Sequence, residues 1–165
     1  MVRIMNYDIC AFLILIILIF SIYLHRMTKG EVNRAFLVLV YSCLVTTMFD
    51  LAVELFRPNN AKELVVEKIL TYGYYFSRSI NAISYIVYLI RLTDTWHIIK
   101  ESKWSKVILT IPAIVDFVAV ITNEYTGFIF YFNEEMQYTR GDYIIIRYIC
   151  LFFFIVYGFY FICKY

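Results

Sequence analysis

Four charged residues sit where the chain is otherwise built of apolar side chains. Asp50 and Glu54 lie in "TTMFDLAVELF", Arg78 in "YYFSRSINAI" and Asp116 in "IPAIVDFVAV". A lone charge in hydrocarbon costs at least about 2.5–3.5 kcal/mol on insertion scales, so charges retained there pair with one another or mark a ligand or ion path. Asp50 and Glu54 are four residues apart and share one helix face, which Thr46 and Thr47 continue. Asn81 shares the face of Arg78, and Asn123 that of Asp116. An arginine between two carboxylates offers recognition of a small polar ligand, which could compete for either sign of charge. The spacing therefore predicts a ligand-binding or buried polar cluster of Asp50, Glu54, Arg78, Asn81, Asp116 and Asn123. Arg78 is expected between Asp50 and Asp116, with Glu54 nearer the mouth. The same residues could instead serve only to set helix register.

Catalytic chemistry finds no support in the residue patterns. Intramembrane aspartyl proteolysis needs a Gly-x-Gly-Asp motif, and neither "MFDLA" nor "IVDFV" contains one. Gly-x-Ser-x-Gly and His-Glu-x-x-His are also missing from the sequence. The two histidines, His25 and His97, fall in predicted loops, and five glycines build no phosphate loop. Cys10, Cys43, Cys150 and Cys163 lie in apolar runs without metal-knuckle or disulfide-framework spacing, and are expected to act as small buried hydrophobes. No enzyme activity, cofactor or metal is expected of this chain.

The elements that must position these charges follow from composition. The 165 residues are 62% hydrophobic and 20% aromatic, well above the roughly 45–50% apolar share of soluble domains. That composition points to an integral membrane protein, and a net charge of +2 with no basic tract argues against nucleic acid. Five runs approach the roughly 20 residues that a helix needs to cross the hydrocarbon. They are 9–24, 35–56, 70–92, 107–123 and 143–163. A cleaved signal peptide fits the first run poorly, since the basic cluster follows it and no small-residue cleavage site does. Lipid tolerates no unpaired backbone, and the runs lack barrel alternation. The expected fold is an all-α integral membrane bundle of about five transmembrane helices, forming a single domain over 1–165.

Loop charges set the orientation. Arg26, Lys29, Arg34, Arg91, Lys100, Lys103, Lys106 and Lys164 place eight basic residues on one side, against five on the other: Arg3, Arg57, Lys62, Lys68 and Arg140. The N-terminus is then outside and the C-terminus cytoplasmic, in a plasma (inner) membrane. At 1.5 Å per residue, Asp50 lies about 10 Å short of Arg57, Arg78 about 9 Å below Tyr72 and Asp116 about 12 Å short of Glu124. All three charges thus reach the outer half of the bilayer. Arg91 and Arg147 sit near span ends and are expected to snorkel to the headgroups. The external loop 124–143 pairs strand-like "FIFYF" and "YTRGDY" around turn-like "NEEMQ", so either a short extracellular hairpin or an irregular loop is expected. "AKELVVEKIL" should extend span three outward as an amphipathic turn.

"ILTIPAIVDFVAVITN" followed by "TGFIFYFNEEMQYTRGDY" resembles the N-terminal multi-helix membrane input region of bacterial sensor histidine kinases and diguanylate cyclases, and "NRAFLVLVYSCLVTTMFDLAVEL" is similar to its second helix. Pro112, Thr122, Asn123, Phe130, Tyr138, Arg140 and Gly141 carry the resemblance. Such regions often have seven helices where five are read here. They are normally joined to a cytoplasmic output domain, so the resemblance assigns any kinase or cyclase activity to such a domain and not to these residues. It implies signal transduction, as in two-component systems. The expected function is a membrane sensory input module that binds a ligand at its outer face and relays helix movement inward. A transporter or channel subunit and a structural assembly partner are the alternatives; no internal repeat favours transport. The expected partners are the lipid bilayer, a small ligand, a cytoplasmic output domain or protein, and a second copy of the chain.

Overall fold

A computed structural model describes residues 2–25, 29–56, 58 and 60–164. Arg26 and Arg57, both used in counting loop charge, lie outside the described residues. The order is α1 (Val2–Leu24), α2 (Glu31–Leu55), α3 (Ala61–Leu92), α4 (Trp96–Glu101), α5 (Lys103–Thr126), β1 (Phe130–Phe132), β2 (Tyr138–Arg140) and α6 (Ile144–Lys164). The chain is mostly helical, and among the described residues four helices are long and apolar enough to cross a membrane: α1 from Tyr7, α2, α5 and α6. Their lengths and apolar side chains identify a membrane protein.

The fifth expected crossing falls in α3 and is not among the four. Length is not the obstacle, since 32 residues extend about 48 Å at 1.5 Å per residue. Arg78, Asn81 and several hydroxyl residues dilute its hydropathy. Those polar residues are not its solvent face: Thr71, Ser77, Ser79 and Ser84 are all buried. The apolar helices show the opposite pattern. Leu13, Ile14, Ile17 and Phe20 of α1 are exposed, as are Ile111, Ile114, Val118 and Ile121 of α5. An apolar outside and a polar inside is the arrangement that lipid favours.

Helix ends follow local chemistry. Asn60 caps α3: its Oδ1 accepts from the backbone N–H of Lys62 (3.1 Å) and Glu63 (3.0 Å), while its Nδ2 donates to the Glu63 carboxylate at 2.8 Å. The amphipathic turn expected before span three is thus the first part of one continuous helix. Ser102 caps α5 by accepting from Ser105 N–H at 3.2 Å. Gly127 closes α5 in the left-handed region at φ 62°, where glycine carries no Cβ penalty. At the end of α3, Asp94 takes φ 52°. Thr95 N–H there bonds back to Ile90 O at 3.1 Å, turning the chain into α4. The stretch read as a loop around His97 is therefore helical.

The chain divides into two compact units, 1–84 and 85–165, each described by itself. In the first unit, Phe49 of α2 packs directly on Gly73 of α3, leaving no room for a Cβ. Tyr23 and Tyr41 join α1 to α2 through their hydroxyls at 3.1 Å. In the second unit, β1 and β2 form an antiparallel pair with Phe130 opposite Arg140 and Phe132 opposite Tyr138. Asn133 builds the turn, accepting Gln137 N–H on its side chain at 2.8 Å. The buried residues of α6 are Arg147, Cys150, Phe154, Gly158 and Phe161, a three-four spacing that makes one seam. Of the four cysteines, only Cys150 is buried; Cys10 and Cys163 are exposed and Cys43 is half-buried. The expectation of four buried thiols is thereby corrected: Cys163 falls off the α6 seam, and Cys10 lies on the exposed face of α1.

Candidate functional site

The first unit holds Asp50, Glu54, Arg78 and Asn81. Asp50 lies within electrostatic reach of Asp8, Glu54 and Arg78. The three carboxylates and one guanidinium come from α1, α2 and α3. Asp8 is a member that the sequence pattern left out, although its place at the start of span one puts it at the same end as Glu54. The Arg78 Nη1 donates to Tyr74 Oη at 2.9 Å, one turn back on α3. This contact props the guanidinium against an aromatic ring, and Arg78 remains half-buried.

Asn81 is one turn further along. Its Oδ1 accepts from Ser42 Oγ and from Cys43 Sγ, each at 3.2 Å. That single carbonyl thus ties α3 to two neighbouring residues of α2. Thr46 and Thr47 donate to the carbonyls of Ser42 and Cys43 in their own helix, at 2.8 and 2.9 Å. Their hydroxyls satisfy themselves locally and add no charge to the cluster.

Nearer the start of α3, Glu67 is buried with its Oε2 unpartnered, and Thr71, one turn on, is 1% exposed with an unpartnered hydroxyl. Glu67 precedes the apolar run that begins at Leu70. Burial pushes its carboxyl above the ordinary value. A carboxyl whose folded value is raised favours the fold below its unfolded pKa of about 4.3, and that stability is lost as pH rises through the folded value. Glu67→Gln, neutral at every pH, should therefore raise the thermal midpoint in detergent at neutral pH. The difference from the wild type should vanish in acid.

The second unit holds Asp116 and Asn123, two turns apart on the buried face of α5 with Val120 between them. Their partners are specific. Asp116 Oδ1 lies 3.1 Å from Arg147 Nε of α6, and the two side chains are 3% and 2% exposed. Arg147 therefore does not snorkel to headgroups. The correction has a physical cause: Arg147 shares the seam of Cys150, Phe154 and Gly158, and so points inward, where only a paired charge is tolerable. Cys150 and Gly158, three and eleven residues beyond Arg147 and therefore on its helix face, were the signal that could have found it. Arg91, the other arginine expected to snorkel, stacks over Trp96 at 4.4 Å.

Asn123 is committed to the hairpin. Its Oδ1 accepts from Ile129 N–H (2.7 Å) and Phe130 N–H (3.2 Å), and its Nδ2 donates to Phe130 O at 3.0 Å. One buried amide thus imitates a strand and clips β1 to the end of α5. Gly141 closes the other side: its N–H donates to Ile129 O at 2.8 Å, and a Cβ there would strike the Phe128 carbonyl. The Asn123 and Gly141 positions noted in the sequence thus serve one local structure.

The six predicted residues divide between the units, four in the first and two in the second. Among the described residues, no group of three His, Cys, Asp or Glu is arranged to hold a metal. Comparison with protein-family models, with curated proteins and with solved structures finds no match.

Proposed function

We propose that the chain is a membrane sensory input module of a bacterial signalling protein. In this reading it crosses the plasma membrane five times, α3 included, with the N-terminus and hairpin outside and the C-terminus in the cytoplasm. The observation that carries the proposal is the continuity of α3. One helix bears Arg78, within reach of Asp50, and further along bears Tyr85 and Leu89, which press on Gly158 of α6. A Cβ at Gly158 would meet Leu89 at 2.6 Å and Tyr85 at 2.8 Å.

A small polar ligand entering from outside competes for Arg78 or for Asp50 and Glu54. It changes the force on α3, and the contact at Gly158 passes the displacement to α6. Asp116 and Asn123 then hold the receiving half together and leave ligand binding to the first unit. The resemblance to kinase and cyclase input regions supports a cytoplasmic output beyond α6.

The test uses the chain in lipid vesicles with a fluorophore on Cys163, after Cys10, Cys43 and Cys150 are replaced. A panel of small polar compounds is added on the side where Glu134 can be labelled. A compound that shifts the emission in this protein should fail after the balanced change Asp50→Asn with Arg78→Gln. It should bind without shifting the emission after Gly158→Leu. A shift that survives the double change defeats the proposal. Accumulation of the compound inside the vesicles would assign a transport role instead.

A further inference from the structure

The end of the second unit away from the hairpin contains a cavity of about 660 Å³, within the roughly 300–1,000 Å³ of ligand sites. Its walls come from the α4–α5 junction and the last three turns of α6. They are apolar along Ile108, Phe153, Val156 and Phe161, and polar at Ser102, Ser105 and Lys164. An occupant must match both halves. Lys164 is preset for this: its Nζ donates to Tyr160 Oη at 2.8 Å and lies 5.2 Å from the centre of that ring. The Tyr160 ring is itself part of the lining. Among the described residues no acidic side chain lines the cavity, and the first turn of α5 carries none. Lys103 and Lys106 are exposed on that same turn and Lys100 on the turn before it, against one exposed carboxylate, Glu101, so the net charge around the rim is positive.

The membrane depth is marked as well. Trp104 is 77% exposed and Trp96 44% exposed at this end, and tryptophans of this kind sit at the headgroup level. A cationic rim there over an apolar wall matches one class of molecule, which the bilayer itself supplies. We propose that this cavity is a binding site for a phospholipid with an anionic headgroup. Its phosphate sits against Lys164, Ser102 and Ser105, and an acyl chain lies along Phe153 and Val156. The site rests on the reading of the chain as a membrane protein and not on ligand sensing at Arg78. It would make the inner end of α6 responsive to the lipid composition around it.

Trp96 and Trp104 are the two tryptophans of the chain, so their fluorescence reports on this end alone. The chain is reconstituted in phosphatidylcholine vesicles carrying a minor fraction of brominated lipid, either phosphatidylglycerol or phosphatidylcholine. Brominated phosphatidylglycerol should quench at about fivefold lower mole fraction, as one lysine near an anionic headgroup provides. Lys164→Gln should remove most of that preference. Ser105→Phe, which fills the cavity and leaves every lysine in place, should abolish it. Equal quenching by the two lipids in the unaltered protein overturns the proposal. So does a preference that survives Ser105→Phe, because exposed lysines alone would then account for it. Absence of quenching by either lipid would instead remove the membrane reading on which the site rests.

Discussion

Arg147→Met is expected to destabilise the protein by about 3–5 kcal/mol, the cost of leaving a buried carboxylate without its counter-charge. Asp116 is 3% exposed and its carboxylate oxygen is 3.1 Å from Arg147 Nε, so water cannot replace the guanidinium. Asp116→Leu should cost a similar amount for the opposite reason, since an unpaired arginine is then held in the seam between Cys150 and the helix end. The double change Asp116→Leu with Arg147→Met removes both charges and should recover most of the loss. Equilibrium unfolding in mixed detergent micelles, run on the two singles and the double, gives the coupling directly. A near-neutral Arg147→Met would mean that the side chain reaches the headgroups after all. The pair lies on α5 and α6, so its loss should also loosen the hairpin end of α6 as measured by hydrogen exchange.

Asn123→Ala should release the hairpin while leaving the helices formed. Three hydrogen bonds end on this one amide. Its removal leaves the N–H groups of Ile129 and Phe130 in a site where both residues are buried, at 2% and 3% exposure. Each buried donor left without a partner costs about 1–3 kcal/mol. Amide exchange at 129 and 130 should therefore accelerate strongly, and a protease should cut between β1 and β2, while helicity by circular dichroism stays unchanged. Asn123→Asp keeps the acceptor but loses the donor to Phe130 O and buries a charge, so it should be no better. Exchange at 129 and 130 that stays slow in the alanine variant would show that the β1–β2 ladder holds by itself.

Much of the candidate site is legible in the sequence because the membrane makes polarity informative. In an apolar run every charge is conspicuous, and Asp50, Glu54, Arg78 and Asp116 announce themselves by their cost. The pairing is another matter. Helical periodicity says which residues share a face, as it does for Asp116 and Asn123, yet it does not say which neighbouring helix that face meets. Arg147 illustrates the gap. Four residues from the start of a span, an arginine satisfies its charge equally well by reaching headgroups or by finding a carboxylate. Depth alone therefore does not discriminate, and rotation of α6 about its axis does. Asn123 shows the same limit: its side chain serves backbone groups six and seven residues on, in a hairpin whose geometry depends on the turn at Asn133.

What the sequence by itself determined is local or compositional. The membrane class follows from the number of apolar residues; the helix ends are also local, set by caps at Asn60, Ser102 and Gly127 that the apolar bounds 70–92 and 107–123 did not mark. The face shared by Arg78 and Asn81 follows from 3.6 residues per turn. What only the tertiary structure decided is which partners those faces meet: Asn81 bonded to Ser42 and Cys43, Asp116 to Arg147, and Gly158 against Tyr85 and Leu89. It also decided that the hydroxyl residues Thr71, Ser77, Ser79 and Ser84 of α3 are buried, which the count of apolar residues over 70–92 does not reveal. The physical reason is common to all of these. Capping and periodicity are set by bonds between near neighbours in the chain. Pairing between helices is set by how side chains of different size pack across a gap, and a small residue such as Gly158 or Gly73 decides that packing by its lack of a side chain.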